Sequence, residues 1–151
     1  MWQRVFGRSD SGLTPTQIAE GLAAAGYFPV PHFKGDDLGW TSGELHFPNG
    51  SPILLARYLT KPDDLRADLN TFAAELETMT HSPNAAPLME RVIQTQQMVT
   101  LRKPFDHADE TKLDAACEHL VRALAAACDG VYQIDGKGWF TADGELLVQE
   151  Y

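Results

Sequence analysis

VYQIDGKGWFTADGELLVQEY, residues 131–151, decides how the fold is read. Its G-x-G at Gly136 and Gly138 admits two readings: the phosphate-cradling loop of a cofactor site, or turns between strands. A dinucleotide loop needs its glycines between a strand and a helix, where backbone N–H groups meet the pyrophosphate. Here the strand-like run 131–135 is followed by Trp139-Phe140-Thr141, aromatic and β-branched and therefore strand-like again. Thr141 stands where the third glycine would be. Asp135-Gly136 and Asp143-Gly144 are instead turn dipeptides, of the kind that allows positive φ at both central positions of a type I′ turn. The segment reads as a three-stranded meander, and no cofactor is implied.

Outward from that meander, the helices are announced by caps and periodicity. Thr14-Pro15-Thr16-Gln17 supplies an N-cap, a proline at the first helical position and a capping-box glutamine. Ile18, Leu22 and Ala25 follow at helical spacing, and Gly26 stops the helix. A second helix is expected over 62–79, with Leu65, Leu69, Phe72, Leu76 and Met79 on one stripe. A shorter one is expected over 85–95. The last, over 110–128, presents Leu113, Ala116, Cys117, Leu120, Val121, Leu124 and Cys128.

Strands fill the intervals: 2–6, 44–47, 53–59 and 98–102, with a hairpin signal at Asn49-Gly50. The stretch 27–33 contains Pro29 and Pro31, which cannot donate to a ladder, so it reads as an edge or irregular strand. "QRVFGR" (3–8) and "QMVTLR" (97–102) share letters in register, and each precedes a helix ending in an alanine run and glycine. The chain thus divides into β-α-β-β-β halves at about 1–60 and 96–151, an arrangement expected of an internal duplication. The fold class is α+β: antiparallel strands of both halves, in one or two sheets, with amphipathic helices covering one face.

At 151 residues the chain is a single domain, residues 1–151, with enough length for a real core. No apolar run of about 18 residues exists, so no membrane span is expected, and the N-terminus lacks a secretory h-region. The expected compartment is the cytoplasm. Net charge is −9, spread evenly: residues 1–80 hold 6 basic and 10 acidic side chains, residues 81–151 hold 6 and 11. Neither half offers a basic surface for nucleic acid or anionic membrane. Cys117 and Cys128, if helical, lie about 16 Å apart along the axis, too far to pair, and both fall on the apolar stripe.

The densest polar patch is "PHFKGDDLGWTSGELHF" (31–47). It gathers His32, Asp36, Asp37, Glu44 and His46 beside Trp40, and two imidazoles with carboxylates are N/O ligands in kind. However, no His-x₃-His pair exists, and Asp36-Asp37-Leu38-Gly39 is also turn chemistry. No metal is therefore expected. A second patch, Asp106, His107, Asp109 and Glu110, precedes the last helix, where acidic side chains cap orphan N–H groups. His81 reads as a solvated loop residue. His119 lies two positions from Cys117 and points to a different helical face, so the two form no dyad.

These readings favour a binding or interaction module without catalysis, taking a protein or small-molecule partner. His32, Asp36, Asp37, Trp40 and His46 are its candidate ligand-binding residues. The competing reading is a small metal-dependent or acid/base enzyme centred on His32, Asp36, Asp37 and His46. The C-terminal strand, 145–151, carries Leu146, Leu147 and Val148 in a row. If it forms an unshielded edge, it suits pairing across a two-fold axis, so a homodimer is expected.

Overall fold

A computed structural model describes residues 2–60 and 63–150. In chain order it forms β1 (Trp2–Gly7), α1 (Pro15–Ala24), β2 (Val30–Asp36), β3 (Gly39–His46) and β4 (Ile53–Leu59). Then come α2 (Arg66–Glu77), α3 (Ala85–Ile93), β5 (Gln97–Arg102), α4 (Glu110–Ala127), β6 (Gly130–Ile134), β7 (Gly138–Thr141) and β8 (Leu146–Gln149). The helix start expected at residue 62 and the strand end at 151 lie outside the described residues.

Local chemistry explains the element ends. Thr14 accepts from the Gln17 N–H while the Gln17 side chain returns to the Thr14 N–H, a complete capping box. Asp109 caps α4 by accepting from the Lys112 N–H at 3.0 Å. The meander turns correctly but not by type I′ geometry. Gly136 (φ 78°) and Gly144 (φ 89°) are left-handed, whereas Asp135 and Asp143 are not. Connections of three residues (135–137) and four (142–145), each with a glycine in the left-handed position, replace the two-residue turns.

All eight strands join one antiparallel sheet in the order β2-β3-β4-β5-β1-β6-β7-β8. β5 and β1 form its centre. The first meander runs inward, from β2 at one edge to β4 beside β5; the second runs outward, from β6 beside β1 to β8 at the other edge. The halves thus share their elements and lay them down in opposite order.

The helices cover both faces, not one. Alternation along the central strands separates two cores. Val5, Leu55, Val99, Leu101 and Tyr132 meet α1 and α4 through Ile18, Leu22, Leu113, Leu120 and Leu124. Phe6, Met98, Val131, Trp139 and Val148 meet α2 and α3 through Leu65, Leu69, Leu76, Leu88 and Val92. The short strands carry apolar side chains at adjacent positions, such as Val5-Phe6 and Met98-Val99, because both of their faces are buried.

Candidate functional site

The edge hairpin β2–β3 distributes the candidate residues among three environments. Asp36 and Asp37 sit at its turn, where an Asp36 carboxylate oxygen accepts from the Leu38 N–H at 2.9 Å. Trp40 enters the α1/α4 core, packing edge-on to Phe33 and donating its indole N–H to the Leu13 carbonyl at 3.0 Å. A bulge explains this: Lys34 pairs with Ser42 and Gly35 with Trp40, so Thr41 is the extra residue that re-aims Trp40 inward.

His32, Glu44 and His46 lie on the opposite face of the sheet. Their grouping follows from register: His32 faces Glu44 across the ladder and Val30 faces His46. The two imidazoles meet edge-on, with ring centres 5.0 Å apart, and His46 Nε2 is 3.4 Å from a Glu44 oxygen. Among the described residues, no three His, Cys, Asp or Glu side chains are arranged to hold a metal ion.

The second polar patch ties loops together. Asp106 accepts from the Ser51 hydroxyl at 2.5 Å and the Ser51 N–H at 3.0 Å, and those bonds hold its carboxyl below the ordinary range. His107 bonds the Ser51 carbonyl at 2.7 Å. His81 is exposed in the turn between α2 and α3. Cys117 and Cys128 are buried, which pushes their thiols up to about 12 and about 11. At neutral pH both stay protonated and poorly nucleophilic.

The surface that stands out joins His32, Glu44 and His46 of the first polar patch to apolar and basic residues that no motif marks. On the α2/α3 side, those helices cover only the part of the sheet around β6–β8 and the adjoining ends of β1 and β5. Over β2, β3, β4 and the ends of β5 and β1 that carry Arg102 and Trp2, the face is open, whereas Arg4 lies beneath the Phe72 ring of α2, 5.2 Å from its centre. The cross-strand rows of this face are His32–Glu44–Leu54–Arg102–Trp2 and Lys34–Ser42–Ala56–Thr100–Arg4. Trp2 is 41% exposed, Val30 58%, Leu54 39% and Tyr58 38%. The Arg102 guanidinium lies over the Trp2 ring at 5.7 Å. Arg4 is held by Asp135 at 2.6 Å and by Gln133 at 2.9 Å. Glu44 is the sole carboxylate in these rows, but Asp135 pairs with Arg4 and Asp68 borders the same surface, so its charges are mixed.

Two hollows border this face. One, of about 350 Å³, lies between Trp2, Arg4, Tyr58, Asp68 and Phe72; the other, of about 500 Å³, includes Leu54, Arg102, Pro104 and Phe105. A separate cavity of about 580 Å³ opens between α3 and the C-terminal end of α4. There Arg8 and Arg91 share Asp129, at 2.9 and 3.4 Å, above a wall that includes Leu88 and Val131. Arg8, Arg91 and Asp129 are mutually paired there, and Glu90 also lines the cavity.

Of the open face, the sequence marks His32, Glu44 and His46 but not Trp2, Leu54, Tyr58 or Arg102, because Ile53-Leu54-Leu55 reads as one apolar run. The available signal is that a strand apolar on both faces needs cover on both, and the predicted helices do not suffice for eight strands. Comparison with protein-family models, with curated proteins and with solved structures finds no match to this chain.

Proposed function

We propose that this protein is a binding module without catalysis of its own, and that it works through the open sheet face over β2–β3–β4–β5–β1. The observation that carries this reading is that Trp2, Val30, Leu54 and Tyr58, each more than a third exposed, lie on one face of the sheet, interleaved with Arg102, Glu44 and His46. Scattered exposed hydrophobes are ordinary; contiguous ones rimmed by polar groups mark places where a second molecule sits. Tryptophan, tyrosine and arginine together supply the side chains that anchor protein interfaces. His32 and His46 belong to this surface, so they serve recognition. Asp36, Asp37 and Trp40 shape the hairpin that presents it. An acid/base or metal-dependent enzyme centred on His32, Asp36, Asp37 and His46 finds less support, because turn and open face hold these groups apart.

A photo-reactive amino acid placed at Leu54 tests the reading in cells producing the protein. Adducts should form there and be absent from the same probe at Ala115, exposed on α4 across the sheet. Equal yields at both positions, or none at Leu54, would refute it.

A further inference from the structure

We infer that the open face takes a second copy of this chain, packed sheet on sheet about a two-fold axis parallel to β4. This rests on the reading of that face as the working surface and names its occupant. The deciding feature is the order of side chains across the row His32–Glu44–Leu54–Arg102–Trp2. Leu54 stands at its middle, with Glu44 one strand to one side and Arg102 one strand to the other. Neighbouring strands are about 4.8 Å apart on either side, so the acid and the base are equidistant from Leu54.

Rotation by 180° about an axis along β4, between two facing sheets, exchanges left and right while keeping position along the strands. Leu54 then meets its own copy, and each Glu44 lies over the other chain's Arg102. Two reciprocal ion pairs flank an apolar centre. Outside them, each His32 lies over the other chain's Trp2, imidazole on indole. Ala56 and Tyr58 face their own copies further along the axis. Rotation about the other in-plane direction, along the row, would set Glu44 on Glu44 and Arg102 on Arg102, and repulsion rejects it.

The remaining charges are consistent with the first axis. Lys34 falls opposite Arg4, whose charge Asp135 already holds. The same hollow contains Asp68, a carboxylate within reach of the incoming ammonium. Arg102 stacked on Trp2 keeps its in-plane N–H donors for a carboxylate. Glu44 uses one oxygen for His46 and has a second to accept from the partner.

Five strands at about 4.8 Å spacing, by the length of β4 at about 3.3 Å per residue, make a patch roughly 19 by 20 Å, about 380 Å² in projection. That is below the roughly 800 Å² per partner of a standard interface and sets the dimer in the weak, transient size class. Aligned sheets pack about 10 Å apart at about 30°, a rotation that shifts side chains one strand from the axis by only about 2–3 Å.

Sedimentation of wild type, Glu44→Arg, Arg102→Glu and an equimolar mixture of the two variants tests the register. All substitutions are on exposed side chains, and circular dichroism verifies folding. Wild type should sediment as twice 16.6 kDa, and each variant alone should associate at least about tenfold more weakly. The mixture should recover dimers, each pairing an arginine-rich face with a glutamate-rich one. A wild type monomeric at 100 µM overturns the inference, as do variants that dimerise unchanged or a mixture that stays monomeric. If the chain is monomeric while the Leu54 probe captures a different protein, the inference fails and the binding-module reading stands.

Discussion

Gly138 shows how single atoms hold the meander. Its φ of 137° is outside ordinary L-residue space, and a Cβ there would run into the Val148 carbonyl of the neighbouring strand. Gly136 is also left-handed, but a Cβ there meets nothing within 4 Å. Gly138→Ala should therefore cost about 2 kcal/mol or more, and Gly136→Ala about 1 kcal/mol. Chemical denaturation of both variants gives the comparison, and equal losses would contradict it. Lys103 is the other residue whose setting is unusual. Its side chain is buried, with Nζ 2.5 Å from Asp114 and 3.4 Å from Glu110. Burial alone lowers its pKa, but the two carboxylates more than offset that and hold it above 10.5. A raised pKa in the folded state means the stabilisation is complete below the unfolded value and is lost as pH rises through the folded one. Asp114→Asn should remove part of the stability at pH 8 and reduce the loss of stability as pH rises past 10.5, as thermal melts at rising pH will show.

Between elements, the largest polar joint is Arg57 with Gln97. The buried Gln97 donates to the Ser9 and Ser11 carbonyls at 2.8 and 2.6 Å and accepts from Arg57 Nε at 2.9 Å. Arg57 spends its other N–H groups on the carbonyls of Leu38, Trp40 and Asp10. Two side chains thus fasten the β1–α1 loop to the β2–β3 hairpin, with no carboxylate involved. Arg57→Met takes a donor from the buried Gln97 side chain and from the Trp40 carbonyl, while the Leu38 and Asp10 carbonyls can turn to water, so a loss of about 1–2 kcal/mol is expected. Amide exchange should quicken in residues 9–13 and 38–40 while α2 stays unchanged. Legibility divides along the same line. Caps, stripes and turn glycines act within a few residues, so α1, the α4 stripe and the C-terminal meander could be read directly. Trp40 could not, because an extra residue in β3 reverses its direction and the bulge depends on pairing with β2. Arg57 and Gln97, 40 residues apart, carry no local signal. Nor could the second helical layer be read, since periodicity reveals that a helix has an apolar stripe but not which side of a sheet receives it.

At the scale of the molecule, two α-helical layers flank one sheet unequally, and the inequality creates the open face. The edge strand β8, which its sequence suggested for self-pairing, has its Leu147 carbonyl taken by Asn84 at 3.0 Å and Ser82 at 3.3 Å. Association therefore has better ground on the face than at that edge. Trp2 reports on it independently. Of the three tryptophans, Trp40 and Trp139 are buried and Trp2 is not. In dilute solution acrylamide should quench one emitting component readily and leave the other two shielded. Raising the concentration should protect the accessible one in wild type but not in Leu54→Glu. Quenching of Trp2 that stays constant at all concentrations would show the face uncovered.

The strand order carries a consequence for synthesis. Val5 pairs with Val99 on one side and Tyr132 on the other, so β1 acquires neither neighbour until the much later β5 and β6 have been translated. Until then Val5 and Phe6 wait with both apolar sides and both hydrogen-bonding edges exposed. Closure of the centre is then a late, long-range event, slow compared with helix formation. Its cost is a window during translation in which this nascent segment depends on dilution, or on a chaperone's grip, to stay out of other chains.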